Sequence, residues 1–378
     1  MNDRKNRLGL LGFRPGPGGI GRVMITLMQA LLRQGVAIDL LLPPGETPDV
    51  DELGRGLATW TLDTDDAALG HRQLAHYLAV RQPHALLSNR DQAHALLAAH
   101  PWTEPRPRIA FRIGTDVPEK LRRSNPLTAP WKARRMASLY RRADLLIGNT
   151  PSIARSIRRM LGRGPAPPVE AIWNPIDAER VRRLAEVSTI HPPIHPWITH
   201  QQSPLIVSVG RLVRAKDYGT LLRALARLGA DDHDPRLIIC GEGNQRRSLE
   251  ALADRLDIAD RVDLVGHQTN PFPFMAAADL FVISSLFEGG NNALIEALTL
   301  GTPCVSTDCP SGPADLLEAG RLGPLVPVGD HRALAEAMRR TLAAPLPAQS
   351  LQAGAERFDA GRAASAYRRA LGLAGSAS

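Results

Sequence analysis

Residues 204–225 read PLIVSVGRLVRAKDYGTLLRAL. An apolar run at 205–209 stops at Gly210. A polar stretch with Arg211 and Lys216 follows, and apolar residues then recur at helical spacing from about Asp217. The stretch is a buried strand, a loop and an amphipathic helix in succession. A strand that is apolar without clean alternation belongs to a parallel sheet covered by helices on both faces. The same pattern recurs in both directions. Strands are expected at 7–13, 36–42, 84–88, 108–113 and 143–148, and again at 205–209, 236–240, 262–266, 279–284 and 303–306. Helical patterns such as 21–34, 217–228 and 245–256 lie between them. The fold class is α/β, with two doubly wound domains. The break falls in PIDAERVRRLAEVSTIHPPIHPWITHQQS, 175–203, which is rich in Pro and His and shows no strand pattern after a short helix. We expect a first domain over 1–175, a linker over 176–203, a second domain over 204–355 and a terminal helix within 356–378. His191, His195 and His200 are expected to face solvent in the linker, because no acidic or cysteine partner has metal-ligand spacing.

A chain of 378 residues exceeds what one growing core usually holds, in agreement with two domains. Cys240, Cys304 and Cys309 are too few for a disulfide framework and lack metal-ligand spacing, which points to a reducing, cytoplasmic setting. The start, MNDRKNRLGLLGF, reads as a first buried strand rather than a signal peptide. No stretch approaches the roughly 18 apolar residues of a spanning helix, so any membrane contact is peripheral. The net charge is +8, and between Arg112 and Arg163 thirteen Lys or Arg stand against three acids, leaving the remainder slightly acidic. Such a patch suits anionic partners, although an ordinary solvated, arginine-rich face explains it equally. Nucleic acid is disfavoured, since only 4% of residues are aromatic.

Ligands of open α/β sheets bind at the carboxyl ends of the strands. Arg211 and Lys216 occupy such an end, and an arginine fork with a mobile lysine suits a diphosphate. A surface ion pair with Asp217 or Glu242 is the plainer alternative. In SSLFEGGNNALIEALTLGTPCVSTDCPSGP, 284–313, Glu288 lies on a loop, Asn291 or Asn292 can cap a helix that Gly301 closes, and Glu296 lies one turn inside. The free N–H groups of that helix start favour an anion. A carboxylate there would repel phosphate, so Glu296 suits a ribose hydroxyl and Glu288 a second polyol. Helix capping, an exposed face or loop hydrogen bonds are the competing readings. The glycines of CGEGNQ, 240–245, permit close backbone approach. The first domain offers Gly18, Gly19 and Gly21 between a strand and a helix, but it is a poor dinucleotide fingerprint because LLLPPG lacks the acidic residue.

EGGNNALIEALTLGTPCVSTDCPSGP, the GR…K segment at 210–216 and PGPGGIGRV together resemble the retaining GT-B glycosyltransferases of family 4, over nearly the whole chain. The resemblance implies two Rossmann-like domains facing each other across a cleft, the second binding a nucleoside diphosphate sugar, with UDP the expected nucleotide and with no metal and no other cofactor. Arg211 and Lys216 would grip the diphosphate, Glu296 the ribose, and Glu288 the donor sugar. Gly19 and Gly21 would approach the donor, whose site Gly210, Glu242 and Gly289 would help line. Asn291, Asn292, Ala293 and Leu294 would complete it. The terminal helix would cross back to the first domain. The segment Asp308–Pro313 looks like members that add hexose or N-acetylhexosamine to polyprenyl-diphosphate glycans or lipopolysaccharide cores. This gives the basic patch a use: Arg122, Arg123, Lys132, Arg134 and Arg135 could meet an acidic membrane face. Many relatives carry a histidine where this chain has Arg112; an arginine is no base at neutral pH but can orient an acceptor or meet phosphate charge. Asn89, Arg90, Asp91 and Asp116 are further candidates for the acceptor. A sugar-nucleotide epimerase of the same fold and a non-catalytic nucleotide-sugar scaffold are the alternatives.

Overall fold

A computed structural model describes residues 6–13, 19–46, 57–186, 195–200, 203–229, 234–310 and 312–374. The chain divides into two compact units: residues 1–175 with 358–378, and residues 176–357.

Unit 1 is built on a parallel sheet of seven strands: β1 Arg7–Leu11, β2 Ala37–Leu42, β3 Leu57–Thr61, β4 Ala85–Ser88, β5 Arg108–Ile113, β6 Leu145–Gly148 and β7 Val169–Ala171. Their order is β3-β2-β1-β4-β5-β6-β7. Alternate residues feed opposite faces, as a pleated strand requires. Leu8, Leu10, Ile38, Leu40, Ala110, Leu145 and Ile147 pack beneath the helices Gly19–Arg33 and Ala360–Leu371. Leu11, Leu41, Ile109, Phe111 and Leu146 pack on the other side, with residues of the helices Ala67–Arg81, Asp91–Ala99, Ala129–Tyr140 and Pro151–Leu161. Both faces are therefore covered, which is why the interior strands read as continuous apolar runs.

Unit 2 carries a six-stranded parallel sheet: β8 Leu205–Val209, β9 Arg236–Cys240, β10 Val262–Gly266, β11 Leu280–Ile283, β12 Cys304–Thr307 and β13 Leu325–Val326. The order is β10-β9-β8-β11-β12-β13. Ile206, Ile239, Val282 and Val305 form a core with the helices Tyr218–Leu228 and His331–Ala343.

Two expectations need correction. The described residues of 176–203 group with unit 2 rather than standing between the units. Ala178–Glu186 is a helix of unit 2 that buries Val181 and packs against the helices Phe272–Ala277 and Asn292–Leu300. His195 does not face solvent: its Nε2 lies 3.0 Å from Asp263 Oδ2 and its Nδ1 accepts the Trp197 N–H at 3.1 Å. It closes the short turn Pro196–Thr199 onto β10. His191 and residues 187–194 lie outside the described residues. The terminal helix Ala360–Leu371 belongs to unit 1, where Ala364, Tyr367 and Leu371 enter the core.

Candidate active site

The second sheet reverses its order between β8 and β11, and ligands of open α/β sheets bind outside such a switch point. The loops leaving these two strands are laced together. Leu286 N donates to Ala215 O at 2.8 Å, and Ser284 Oγ to Lys216 O at 2.9 Å. Lys216 Nζ donates to Glu288 Oε1 at 2.7 Å, with side chains only 20% and 8% exposed. Ser285 Oγ donates to the same oxygen. Both bonds fall on Oε1, and Oε2 has no hydrogen bond among the described residues. The lysine thus pairs with neither Asp217 nor Glu242. Asp217 has φ 45 and accepts from Thr220 Oγ1 at 2.7 Å. Glu242 is half-exposed and held by Arg246, whose cation keeps its carboxyl below the usual range. The side chain expected to help line the donor site is therefore committed to an ion pair within its own loop and helix.

Arg211 is exposed, and its side chain makes no hydrogen bond or ion pair among the described residues. The glycines after β9 do permit close approach, but to the chain itself. A Cβ on Gly241 would stand 1.9 Å from Gly210 O, and one on Gly243 2.3 Å from Leu212 O. These contacts lay the loop of Arg211 against the β9 exit, where Leu212 N donates to Glu242 O at 2.8 Å. Tyr218 OH donates to Gly210 O at 3.1 Å, and burial pushes that phenol up, so it stays a neutral donor.

The helix Asn292–Leu300 begins at Asn291, which is 5% exposed with φ 40, and closes at Gly301 with φ 82. Asn291 holds the capping position without a side-chain cap: neither its Oδ1 nor its Nδ2 has a partner among the described residues. An unpaired buried amide costs about 1–3 kcal/mol unless a ligand or water meets it. Gly289, Asn292 and Ala293 are half-buried beside it, and Leu294 is buried beneath. Glu296 is only 4% exposed, which removes the exposed-face reading. Cys309 is buried, and burial together with the Glu288 charge pushes its thiol up to about 12, so no thiolate nucleophile is present there.

In unit 1 the order reverses between β1 and β4. Asn89 N donates to Leu11 O at 3.1 Å, and Arg90 Nε to Gly12 O at 3.0 Å, which ties the two strand ends together. Asp116 caps the helix Val117–Ser124 by accepting from Glu119 N at 3.0 Å. Arg112, on β5, is buried: its Nη1 donates to Asn89 Oδ1 at 2.7 Å, its Nε to Tyr367 OH at 3.1 Å and its Nη2 to Asn174 Oδ1. Gly19 and Gly21 are the first and third residues of their helix; Gly18 lies outside the described residues. The sequence reading missed Ser285, Tyr367, Asn174 and Asn149. The last had a signal, a polar residue directly after the apolar run of β6. Among the described residues no group of three His, Cys, Asp or Glu is placed to hold a metal ion, and no helix is long and apolar enough to cross a membrane.

Two doubly wound units, with cations and carboxylates at a switch point, define a GT-B glycosyltransferase. Residues 203–344 match the family described as glycosyl transferases group 1, and residues 17–180 match glycosyltransferase family 4. The chain belongs to glycosyltransferase family 4. It is 28% identical over 338 residues to the lipopolysaccharide core biosynthesis glycosyltransferase LpsE of Rhizobium meliloti, covering 86% of each chain. It is 31% identical over 206 residues to the N-acetylgalactosamine-N,N'-diacetylbacillosaminyl-diphospho-undecaprenol 4-alpha-N-acetylgalactosaminyltransferase of Campylobacter jejuni, covering 54% of this chain and 52% of that one. Its fold matches Anabaena HepE, solved in complex with UDP and glucose, with a TM-score of 0.75 and 18% identity, over 96% of this chain and 98% of that one.

Proposed function

We propose that this protein is a retaining hexosyltransferase. In this reading it moves a hexose or N-acetylhexosamine from a UDP-linked sugar to a hydroxyl of a lipid-linked or cell-surface glycan. The observation that carries the reading is the Lys216–Glu288 pair at the switch point of the second sheet, beside the unpaired Arg211 and the unsatisfied amide of Asn291. The activities of the relatives support a sugar acceptor in lipopolysaccharide or on an undecaprenyl diphosphate, and the UDP complex of HepE supports the nucleotide.

Lys216 and Arg211 meet the charge that develops on the departing diphosphate, without a metal. Preorganised charge aimed at a leaving group is usually the largest catalytic term. Glu288 fixes Lys216 through Oε1 and offers Oε2 to the donor sugar's hydroxyls. Glu296 takes the ribose. The bond from the anomeric carbon to the phosphate oxygen breaks, the bond to the acceptor oxygen forms on the same face, and the acceptor proton passes to the leaving phosphate.

The protein works in the cytoplasm, docked on the inner face of the membrane. Leu127 and Trp131 support this, at 91% and 62% exposed, beside Lys132, Arg134 and Arg135, which have no ion pair among the described residues. Arg122 and Arg123 contribute less, because both pair with Glu119 at 2.6 Å.

The test is incubation with a panel of nucleoside diphosphate sugars and a membrane lipid extract, followed by product mass and anomeric analysis. A lipid-linked product gaining one hexose or N-acetylhexosamine with retained configuration is expected. A donor converted without acceptor would make the protein an epimerase. A donor bound but unchanged across all acceptors would make it a scaffold.

A further inference from the structure

We propose that Arg112 is the base of an oxyanion site in unit 1, and that the acceptor carries a phosphate or diphosphate group held there. The inference rests on the glycosyl-transfer reading only for the word acceptor.

Arg112 is 4% exposed and stands at a position of β5 whose neighbour two residues back, Ala110, is core. Its three hydrogen-bond partners, Asn89, Asn174 and Tyr367, are all neutral, and no carboxylate pairs with it among the described residues. The other buried ions of unit 1 behave differently: buried Asp39 has two arginines. A buried cation without a counter-ion carries a desolvation penalty of several kcal/mol that neutral oxygens only partly offset. Three of the five guanidinium N–H groups are used, leaving two as donors.

The amides around it are left unsatisfied. The donor Asn89 Nδ2 and the acceptor Asn149 Oδ1 are both buried without a partner, and it is the Nδ2 of Asn149 that faces the Gly114 position. Gly114 leaves the space open: a Cβ built there would lie 3.7 Å from both Arg112 Nη1 and Asn149 Nδ2, with nothing else within 4 Å. The nearest acid in sequence, Asp116, is turned to the N–H of Glu119. A guanidinium edge and amide donors around an empty glycine position match the oxygens of a phosphate.

The experiment uses the full chain carrying Arg211→Ala and Lys216→Ala, which removes the cations assigned to the donor. Titration calorimetry with inorganic phosphate and with pyrophosphate is expected to show binding that Arg112→Gln weakens at least about tenfold, the loss of one charge-assisted contact. Gly114→Asp supplies an internal counter-ion without removing the arginine, and should abolish the same binding while raising the melting temperature. That variant decides the matter if Arg112→Gln does not fold. Phosphate binding that neither substitution changes, or no binding at all, overturns the proposal. A second arm keeps Arg211 and Lys216 and titrates UDP. Affinity within about twofold of the parent after Arg112→Gln places the oxyanion on the acceptor, whereas a loss as large as that for phosphate assigns it to the donor and overturns the acceptor claim. Because no arm requires turnover, a protein that transfers no sugar still tests the site.

Discussion

Lys216 and Glu288 come from loops that leave β8 and β11, the two strands flanking the reversal of the second sheet, and their side chains meet at 2.7 Å. Replacing either residue tests the chemistry rather than the fold, since the surrounding lacing runs through main-chain atoms of Ala215, Lys216 and Leu286. Lys216→Ala should lower kcat/KM by about a hundred- to a thousandfold, the usual cost of one preorganised charge contact. Glu288→Gln keeps an oxygen for the lysine and should cost roughly tenfold. Steady-state kinetics with far-ultraviolet circular dichroism as the control checks both, and undiminished turnover would remove the assignment.

Asp39 lies at 0% exposure on β2, with Arg7 Nη1 at 3.2 Å, Arg81 Nη2 at 2.8 Å and Tyr77 OH at 3.1 Å. Its charge and burial together push the Tyr77 phenol well up. Asp39→Ala strands this group of donors and should destabilise unit 1 by about 3–5 kcal/mol. Urea unfolding measures it; a loss below about 1 kcal/mol would mean that water already shares the load.

His94 is fully buried, stacked on Phe111 at 4.6 Å, with Nε2 3.2 Å from Ser88 O. Burial pushes its imidazole down to about 4. The unfolded chain therefore binds the proton first. Stability is full above about pH 6.5 and falls as pH drops towards 4, by about 3 kcal/mol. His94→Gln keeps an N–H for the Ser88 carbonyl and does not titrate, so its stability should be flatter between pH 7 and 4.5. Parallel curves for the two proteins would contradict this.

Leu127 and Trp131 should enter an acidic bilayer. Leu127→Glu with Trp131→Glu is expected to cut co-flotation with phosphatidylglycerol-containing vesicles about tenfold or more at 0.15 M salt, with neutral vesicles bound weakly throughout. Retained flotation in the double variant would show that charge alone holds the protein.

The ten strands visible as apolar runs in the sequence all form. Those it missed, β3, β7 and β13, are each at a sheet edge. An edge strand has a neighbour on one side only and is often short: Val169–Ala171 is mostly exposed and Leu325–Val326 has two residues. Neither gives a run long enough to read. The switch-point residues were legible because Arg211, Lys216 and Glu288 lie on the loops that leave apolar strands. Their pairing was not, because Lys216 chooses among three acids at different sequence distances. Arg112 illustrates the limit more sharply. Its position was readable, but two of its partners lie 62 and 255 residues away, and nothing in the sequence announces that all are neutral. The 176–203 stretch misled because nothing in its prolines and histidines announces that Ala178–Glu186 packs into unit 2 or that His195 meets Asp263 on the edge strand β10.

Unit 1 is discontinuous in the chain: the helix Ala360–Leu371 that covers Gly19–Arg33 follows all of residues 176–357. A ribosome adding about 5–20 residues per second takes roughly 10–40 s to travel from the last strand of unit 1 to that helix. The second-made half can thus mature first, while the first-made half waits with an oily flank uncovered. Chaperones and proteases will meet the nascent protein there, and a premature stop just after Arg357 will yield a fragment whose amino-terminal half, not its carboxyl-terminal half, is the sticky one.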